Sequence, residues 1–198
     1  MIKFVNNNIS EPYLRLERAY NVALEHNQLE IQALLIGSYS PDLHEVDARY
    51  VNLKMIDDEK FIFFSNYNSP KAQQFSKNNQ IIAVIYWPTT NTQIRMKAKI
   101  RKTSKEFSDQ YFKKRTKEKN ALAISSNQSE EINDYGDVIN NYEKVFSNED
   151  MTCRPNYWGG YYFIPYYFEF WQGDTNRLNK RVSFNKKGDE WIKSYLQP

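Results

Sequence analysis

The segment Gln93–Lys102 alternates without a break, and this constrains the fold more than any other feature. Ile94, Met96, Ala98 and Ile100 fall on one side; Gln93, Arg95, Lys97, Lys99 and Arg101 fall on the other. A period of two sustained this long predicts a β-strand with one buried face. The apolar run Ile81–Trp87 precedes it across Pro88–Thr92, which predicts a hairpin.

Further strands are expected at Ile31–Ile36, ending at Gly37, and at Val46–Met55 after a polar, turn-like stretch over 38–47. Lys60–Ser65, Tyr161–Trp171, Arg181–Asn185 and Glu190–Tyr195 complete the set. In Val46–Met55, Arg49, Val51 and Leu53 share one face while Tyr50, Asn52 and Lys54 share the other. Helices intervene. Ser10 and Pro12 suit a first turn, and Leu16, Ala19, Tyr20, Ala23 and Leu24 follow at helical spacing. Ser69 and Pro70 open a short helix, and Thr103 with Glu106 forms a capping box for a helix over 104–114. Helical patterns continue through 118–125 and 130–146. Short antiparallel strands with helices between and around them predict an α+β fold whose sheet is closed or nearly closed.

At 198 residues a single domain spanning 1–198 is expected, with an N-terminal helix region (1–28) and a distinct C-terminal segment (153–198). The chain is 40% hydrophobic and 16% aromatic, so composition does not point to disorder. A net charge of +3 argues against a large nucleic-acid surface, the basic side of strand 93–101 notwithstanding. Cys153 is the sole cysteine and His26 and His44 the only histidines, so neither an internal disulfide nor a metal-ligand spacing is expected. No signal-peptide core is present, and no apolar run approaches the roughly 18 residues of a membrane span. A cytoplasmic protein with no membrane partner is the simplest expectation. Neither a strand–GxGxxG–helix unit nor a GxxxxGK[ST] loop occurs.

The tract Trp158–Arg181, WGGYYFIPYYFEFWQGDTNRLNKR, carries the chemistry. Its plain reading is an aromatic core strand followed by a solvated basic turn. Its last part, FWQG-x3-RL-x2-R (Phe170–Arg181), resembles the C-terminal signature of the pyridoxamine 5′-phosphate oxidase family. Other blocks resemble the same family in order. RYVNLK (Arg49–Lys54) is similar to its R-x-V-x-L-K strand, and FFSNYNSPKAQQF to its strand–turn–helix. Gln93 lies where the family has a strand glutamine, YFKKR (Tyr111–Arg115) is similar to its Y-F-x-x-R helix, and NQSEEI puts Gln128 and Ser129 on its Q-S pair. The terminus from Trp191 to Pro198 is similar to its W-x4-L-x-P ending. Together the blocks cover residues 45–198.

The resemblance implies an FMN-binding split β-barrel of about six antiparallel strands with flanking helices. It implies a homodimer with FMN between subunits, and oxidation of pyridoxine or pyridoxamine 5′-phosphate to pyridoxal 5′-phosphate with O2 as acceptor and H2O2 as product. It implies a cofactor site of Arg49, Tyr50, Val51, Asn52, Leu53, Lys54, Phe64, Ser65, Lys71, Gln93, Gln128, Ser129, Trp171 and Arg181. Arg49 and Lys71 match phosphate ligands; Gln93, Gln128, Ser129, Trp171 and Arg181 match partners of the isoalloxazine edge. The implied substrate site is Lys54, Tyr111, Arg115 and Lys119, with Arg177 and Asn179 as catalytic positions over the substrate ring. With Lys54 opposite Arg49, one strand would serve substrate on one face and FMN on the other. The chemistry agrees, since the chain has no redox group of its own and an oxidase needs a cofactor.

Four positions depart from the family pattern. Asn179 replaces a histidine and cannot titrate near neutral pH. Pro70 replaces an arginine at the FMN phosphate and brings neither charge nor N–H. Lys119 replaces a serine of the substrate phosphate clamp, and Tyr195 stands for a terminal arginine. The stretch before the first helix also lacks the family's arginine- and tyrosine-bearing arm. Three readings therefore stay open: a pyridoxine/pyridoxamine 5′-phosphate oxidase; an FMN oxidase of another substrate, such as a dihydro-aromatic intermediate like those of the family's phenazine-pathway relatives; or a non-catalytic flavin- or pyridoxal-phosphate-binding protein.

Overall fold

The computed structural model describes residues 1–198. Its centre is the long strand β8 (Trp158–Gln172), which pairs over Tyr161–Gln172 with the whole of β7 (Thr92–Lys102). On its other edge, the first half of β8 pairs with β5 (Lys60–Asn66) and the second half with β9 (Lys180–Lys187). Asn66 thus faces Trp158 at one end of β8, and Arg181 faces Trp171 near the other. The β7–β8 register shifts at Lys97/Ala98, where Tyr166 has no partner beside Pro165. Proline has no N–H for the ladder, so a bulge there is expected.

The sheet continues through β6 (Gln80–Trp87), β2 (Ala33–Ser40) and β3 (Glu45–Asn52) on one side. On the other lie β4 (Met55–Asp57) and β1 (Lys3–Val5), and β10 (Glu190–Leu196) pairs with β9. The sheet has ten strands rather than about six. Two of the extra ones, β1 and β4, are three residues each, too short for a periodic pattern. Ile94, Met96, Ala98 and Ile100 of β7 are buried as the alternation predicts. They join Phe61, Phe63, Phe163, Phe168, Phe170 and Phe184 in one core. Helix α1 (Glu11–Glu25) closes one end of it: Tyr13 meets Phe168 edge-on at 5.2 Å and Tyr20 meets Trp87 at 6.1 Å.

Several local expectations are corrected. β2 runs through Gly37 to Ser40, and β3 already begins at Glu45, so the turn is confined to 41–44. Gly37 marks a close strand approach, because a Cβ there would meet Ile82 Cγ2 at 2.7 Å. Leu24 is exposed, on the solvent side of α1. The next helices are α2 (Pro70–Lys77) and α3 (Lys105–Lys113). The cap of α3 is Ser104, whose side chain accepts from Phe107 N; Thr103 Oγ1 instead lies 2.9 Å from Ser108 Oγ and bonds Gly160 O. After α4 (Lys117–Ser125), α5 spans Tyr135–Asn148, later than expected, because the Asp134 side chain caps it through Gly136 N. No helix is long and apolar enough to cross a membrane.

Candidate functional site

A cavity of about 1020 Å³ opens where β3, β5, the start of β8, α2 and α3 converge, at the upper end of ligand-pocket sizes. Thirteen of the sequence-derived positions line it: Arg49, Tyr50, Val51, Asn52, Lys54, Phe64, Ser65, Lys71, Tyr111, Arg115, Lys119, Gln128 and Ser129. Leu53 is fully buried beneath them. The division of β3 into a cofactor face and a substrate face is corrected, because the strand ends at Asn52. Leu53 N donates to Gln32 O and Lys54 N to Ile62 O, so the chain crosses from the β2 side to β5. That crossing breaks the alternation and brings Lys54 into the same cavity as Arg49.

Two sets of cations line the cavity. In the first, β3 supplies Arg49 and the first turn of α2 supplies Lys71. Lys71 is only 6% exposed, and its ammonium donates to Ser69 Oγ at 3.1 Å. Burial first, and then the neighbouring Arg49, push its pKa down to about 8. A buried cation pressed by another cation, with no carboxylate on it, is a seat for an anion. The α2 N-terminus adds its dipole and free N–H groups, although Pro70 contributes no N–H. Arg49 Nη1 donates to Ser38 Oγ at 2.7 Å, and Nη2 donates to Gln74 Oε1 at 3.2 Å and to Asp47.

The second set is Lys54, Arg115 and Lys119. Tyr111 stacks on Phe64 at 3.7 Å, Phe64 stacks on Trp158 at 5.2 Å, and the Arg115 guanidinium lies 4.2 Å above the Trp158 ring. Arg115 Nη2 donates to Lys119 O at 2.7 Å, while its Nη1 is buried without a partner. Burial lowers the Arg115 pKa to about 10. Burial, then Lys119 and Arg115, lower that of Lys54. Between the two sets, Gln128 Oε1 accepts from Ser65 Oγ and Asn66 N, each at 3.3 Å, which pins the loop after α4 to the end of β5.

The remaining positions lie elsewhere in the chain. Gln93, Trp171 and Arg181 stand side by side across β7, β8 and β9. Trp171 lines a smaller cleft with Arg15, His26 and Phe170. Trp158 and Trp171 mark opposite ends of β8, as much as about 40 Å apart along the strand at roughly 3.3 Å per residue. Arg181 donates through Nε and Nη2 to Glu169 Oε1 at 3.0 and 2.7 Å, and through Nη1 to Gln197 O. Arg95 and Tyr167 hold the other Glu169 oxygen. Arg177 and Asn179 sit in the β8–β9 turn. Arg177 is exposed with φ 63°, and Asn179 Oδ1 accepts from Asp174 N at 3.1 Å.

Sequence reasoning missed Trp158, Asp47 and Glu169. Glu169 had a signal, a lone carboxylate inside the aromatic run YYFEFW, because a buried acid needs cationic partners. Trp158 and Asp47 had none, since their roles depend on which strands meet.

The fold is that of the FMN-binding split barrels. A crystal structure of PhzG from Burkholderia lata in complex with tetrahydrophenazine-1-carboxylic acid superposes with a TM-score of 0.89 at 25% identity, covering 96% of this chain and 93% of that one. A pyridoxamine 5′-phosphate oxidase-related, FMN-binding protein from Nostoc punctiforme superposes at 0.78 and 14% identity, over 96% of this chain and 99% of that one. In sequence, residues 25–145 match the pyridoxamine 5′-phosphate oxidase family, and residues 158–198 match the pyridoxine 5′-phosphate oxidase C-terminal dimerisation region. The pyridoxine/pyridoxamine 5′-phosphate oxidase of Leptospira interrogans is 33% identical over 193 residues, 96% of this chain and 89% of the relative. That of Coxiella burnetii is 34% identical over 192 residues, 96% and 97% respectively. The chain belongs to the pyridoxamine 5′-phosphate oxidase family; it is an FMN-dependent oxidoreductase. The cavity fits that cofactor: it is large enough, and Lys71 is a buried cation that lacks a counter-ion.

Proposed function

We propose that the protein oxidises pyridoxine or pyridoxamine 5′-phosphate to pyridoxal 5′-phosphate, using O2 and releasing H2O2. The observation that carries this reading is the presence of two separate cation sets in one cavity. Arg49 and Lys71 suit the cofactor phosphate; Lys54, Arg115 and Lys119 suit a second phosphate, on the substrate. The buried, unpartnered Arg115 Nη1 is the donor such a phosphate would engage.

Bound FMN supplies the hydride acceptor and the route to oxygen. The chain's own residues position and hold. Trp158 keeps the Arg115 fork flat and fixed, and Tyr111 closes the aromatic wall beside it. Gln128 and Ser65, already joined, offer polar atoms to a ring edge between the two phosphate seats. Holding the substrate carbon in line for transfer is the main contribution a protein makes to such a step.

The work is proposed for a homodimer in the cytoplasm. Gln93, Trp171 and Arg181 are too far along β8 to complete the cavity of their own chain, so a second copy would bring them, with Arg177 and Asn179 of its β8–β9 turn. The C-terminal match to a dimerisation region supports this arrangement.

A second reading, oxidation of a different reduced aromatic substrate, is favoured by Asn179. Its Oδ1 is engaged by Asp174 N, and it cannot carry a proton near neutral pH. Peroxide formation assayed with pyridoxine 5′-phosphate and with unphosphorylated pyridoxine separates the two readings. Turnover of the phosphorylated compound alone supports the first; flavin-loaded protein that turns over neither compound supports the second.

A further inference from the structure

The cofactor-phosphate seat contains one carboxylate. Asp47 and Arg49 are two residues apart on β3 and share a face by the period of the strand. Their register partners on β2, Ser38 and Ile36, set both at the cavity wall. The Arg49 guanidinium is engaged within the chain: Nη1 by Ser38 Oγ, Nη2 by Gln74 Oε1 and the Asp47 carboxylate. Ser38 Oγ also donates to Gln74 Oε1 at 2.5 Å, which fixes that acceptor against the arginine. A phosphate reaching the Nη2 end of Arg49 must take over a hydrogen-bond position there, and Asp47 is the partner that carries negative charge.

Resting on the reading of Arg49 and Lys71 as the FMN phosphate seat, we infer that Asp47 competes with the cofactor phosphate for Arg49 and so sets the protein's FMN affinity. Asp47 is about half exposed, at 51%, while Arg49 is 21% exposed. The carboxylate can therefore turn to water as phosphate arrives, and the arginine stays where it is. A partly exposed ion pair is weakly held, so the competition tunes affinity without blocking the site. Asp47 also acts weakly on Lys71, favouring its charged form against burial and Arg49, so affinity is best compared where Lys71 is charged. Pro70 sharpens the dependence, since the first position of α2 offers neither charge nor N–H.

The test is FMN affinity measured by flavin-fluorescence quenching at pH 6.5, where Lys71 is charged, with riboflavin as the phosphate-free probe. Asp47→Asn should bind FMN about two- to fivefold more tightly than the unaltered protein, with riboflavin affinity unchanged. Unchanged or weaker FMN binding by Asp47→Asn would overturn the inference, because the carboxylate would then be holding Arg49 in place. In an Arg49→Met background the gain should vanish; a gain that persists would mean simple repulsion of phosphate, and would also overturn it. The underlying reading is tested separately. If Arg49→Met alone leaves FMN affinity unaltered, the seat lies elsewhere, whatever Asp47 does.

Discussion

The cavity and the end of β8–β9 both hold arginines from one motif set, yet they treat charge in opposite ways. In the cavity, Lys54, Lys71 and Arg115 are partly or wholly buried with no carboxylate on them, and each has its pKa pushed down. Near Trp171, Glu169 is 3% exposed and takes Arg181, Arg95 and Tyr167 together. The first region bears a cost in the folded chain that an anion relieves. In the second, both arginines share one buried carboxylate inside the fold. A cation without a buried counter-ion marks the binding region of its own chain; a cation with one braces the far end of β8.

The largest effect expected from this contrast is at Arg115. Arg115→Ala should raise KM for the phosphorylated substrate about 100-fold, the scale for removing one partner of a desolvated charge pair, with kcat much less affected. A KM unchanged in steady-state assays would remove Arg115 from the substrate side. Next is the framework. Glu169→Gln leaves Arg95 and Arg181 facing one another and should cost about 2 kcal/mol, lowering the thermal midpoint by about 4–8 °C; both arginines are about a third exposed, so solvent screens part of the loss. Arg95 and Arg181 hold the Glu169 carboxyl below its usual range in spite of burial. A depressed folded-state pKa gives stability that is present above the unfolded value and lost as pH falls through the folded one. The unaltered protein should therefore lose more stability below about pH 4 than the Gln variant does, and parallel acid-denaturation curves would contradict the pairing.

Smaller still is a pH effect on the cofactor. Lys71 titrates at about 8 in the cavity, and a phosphate beside it would raise that value. FMN affinity should then be level between about pH 7 and 8 and weaken above that, by up to about tenfold per unit. An affinity that is flat from pH 7 to 9.5 would place the phosphate away from Lys71. The smallest change is expected at Asn179, where histidine should raise kcat by less than about tenfold, below the range of a fully placed acid–base group. No rise would mean that the turn contributes position alone.

Much of this was legible in the sequence because strands write their burial every second residue. The inward set of β7 and the aromatic face of β8 needed no structure to assign. Lys71 and Arg115 are picked out by the family resemblance, and both line the cavity. What could not be read was which groups share a wall. Lys54 changes wall because the chain crosses from β2 to β5 at Leu53, a tertiary event with no local signal. The motif that holds Arg181 does not show that Glu169, twelve residues earlier on the neighbouring strand, braces it. Gly37 reads as a strand end because glycine disfavours strands, whereas here a neighbouring isoleucine needs the space.

The most direct test of the two-seat cavity is a visible spectrum of the FMN-loaded protein taken without oxygen, before and after addition of pyridoxine 5′-phosphate. The account predicts that the oxidised flavin bands bleach and that admitting oxygen restores them. A bound flavin that stays oxidised in the presence of the phosphorylated substrate would contradict it.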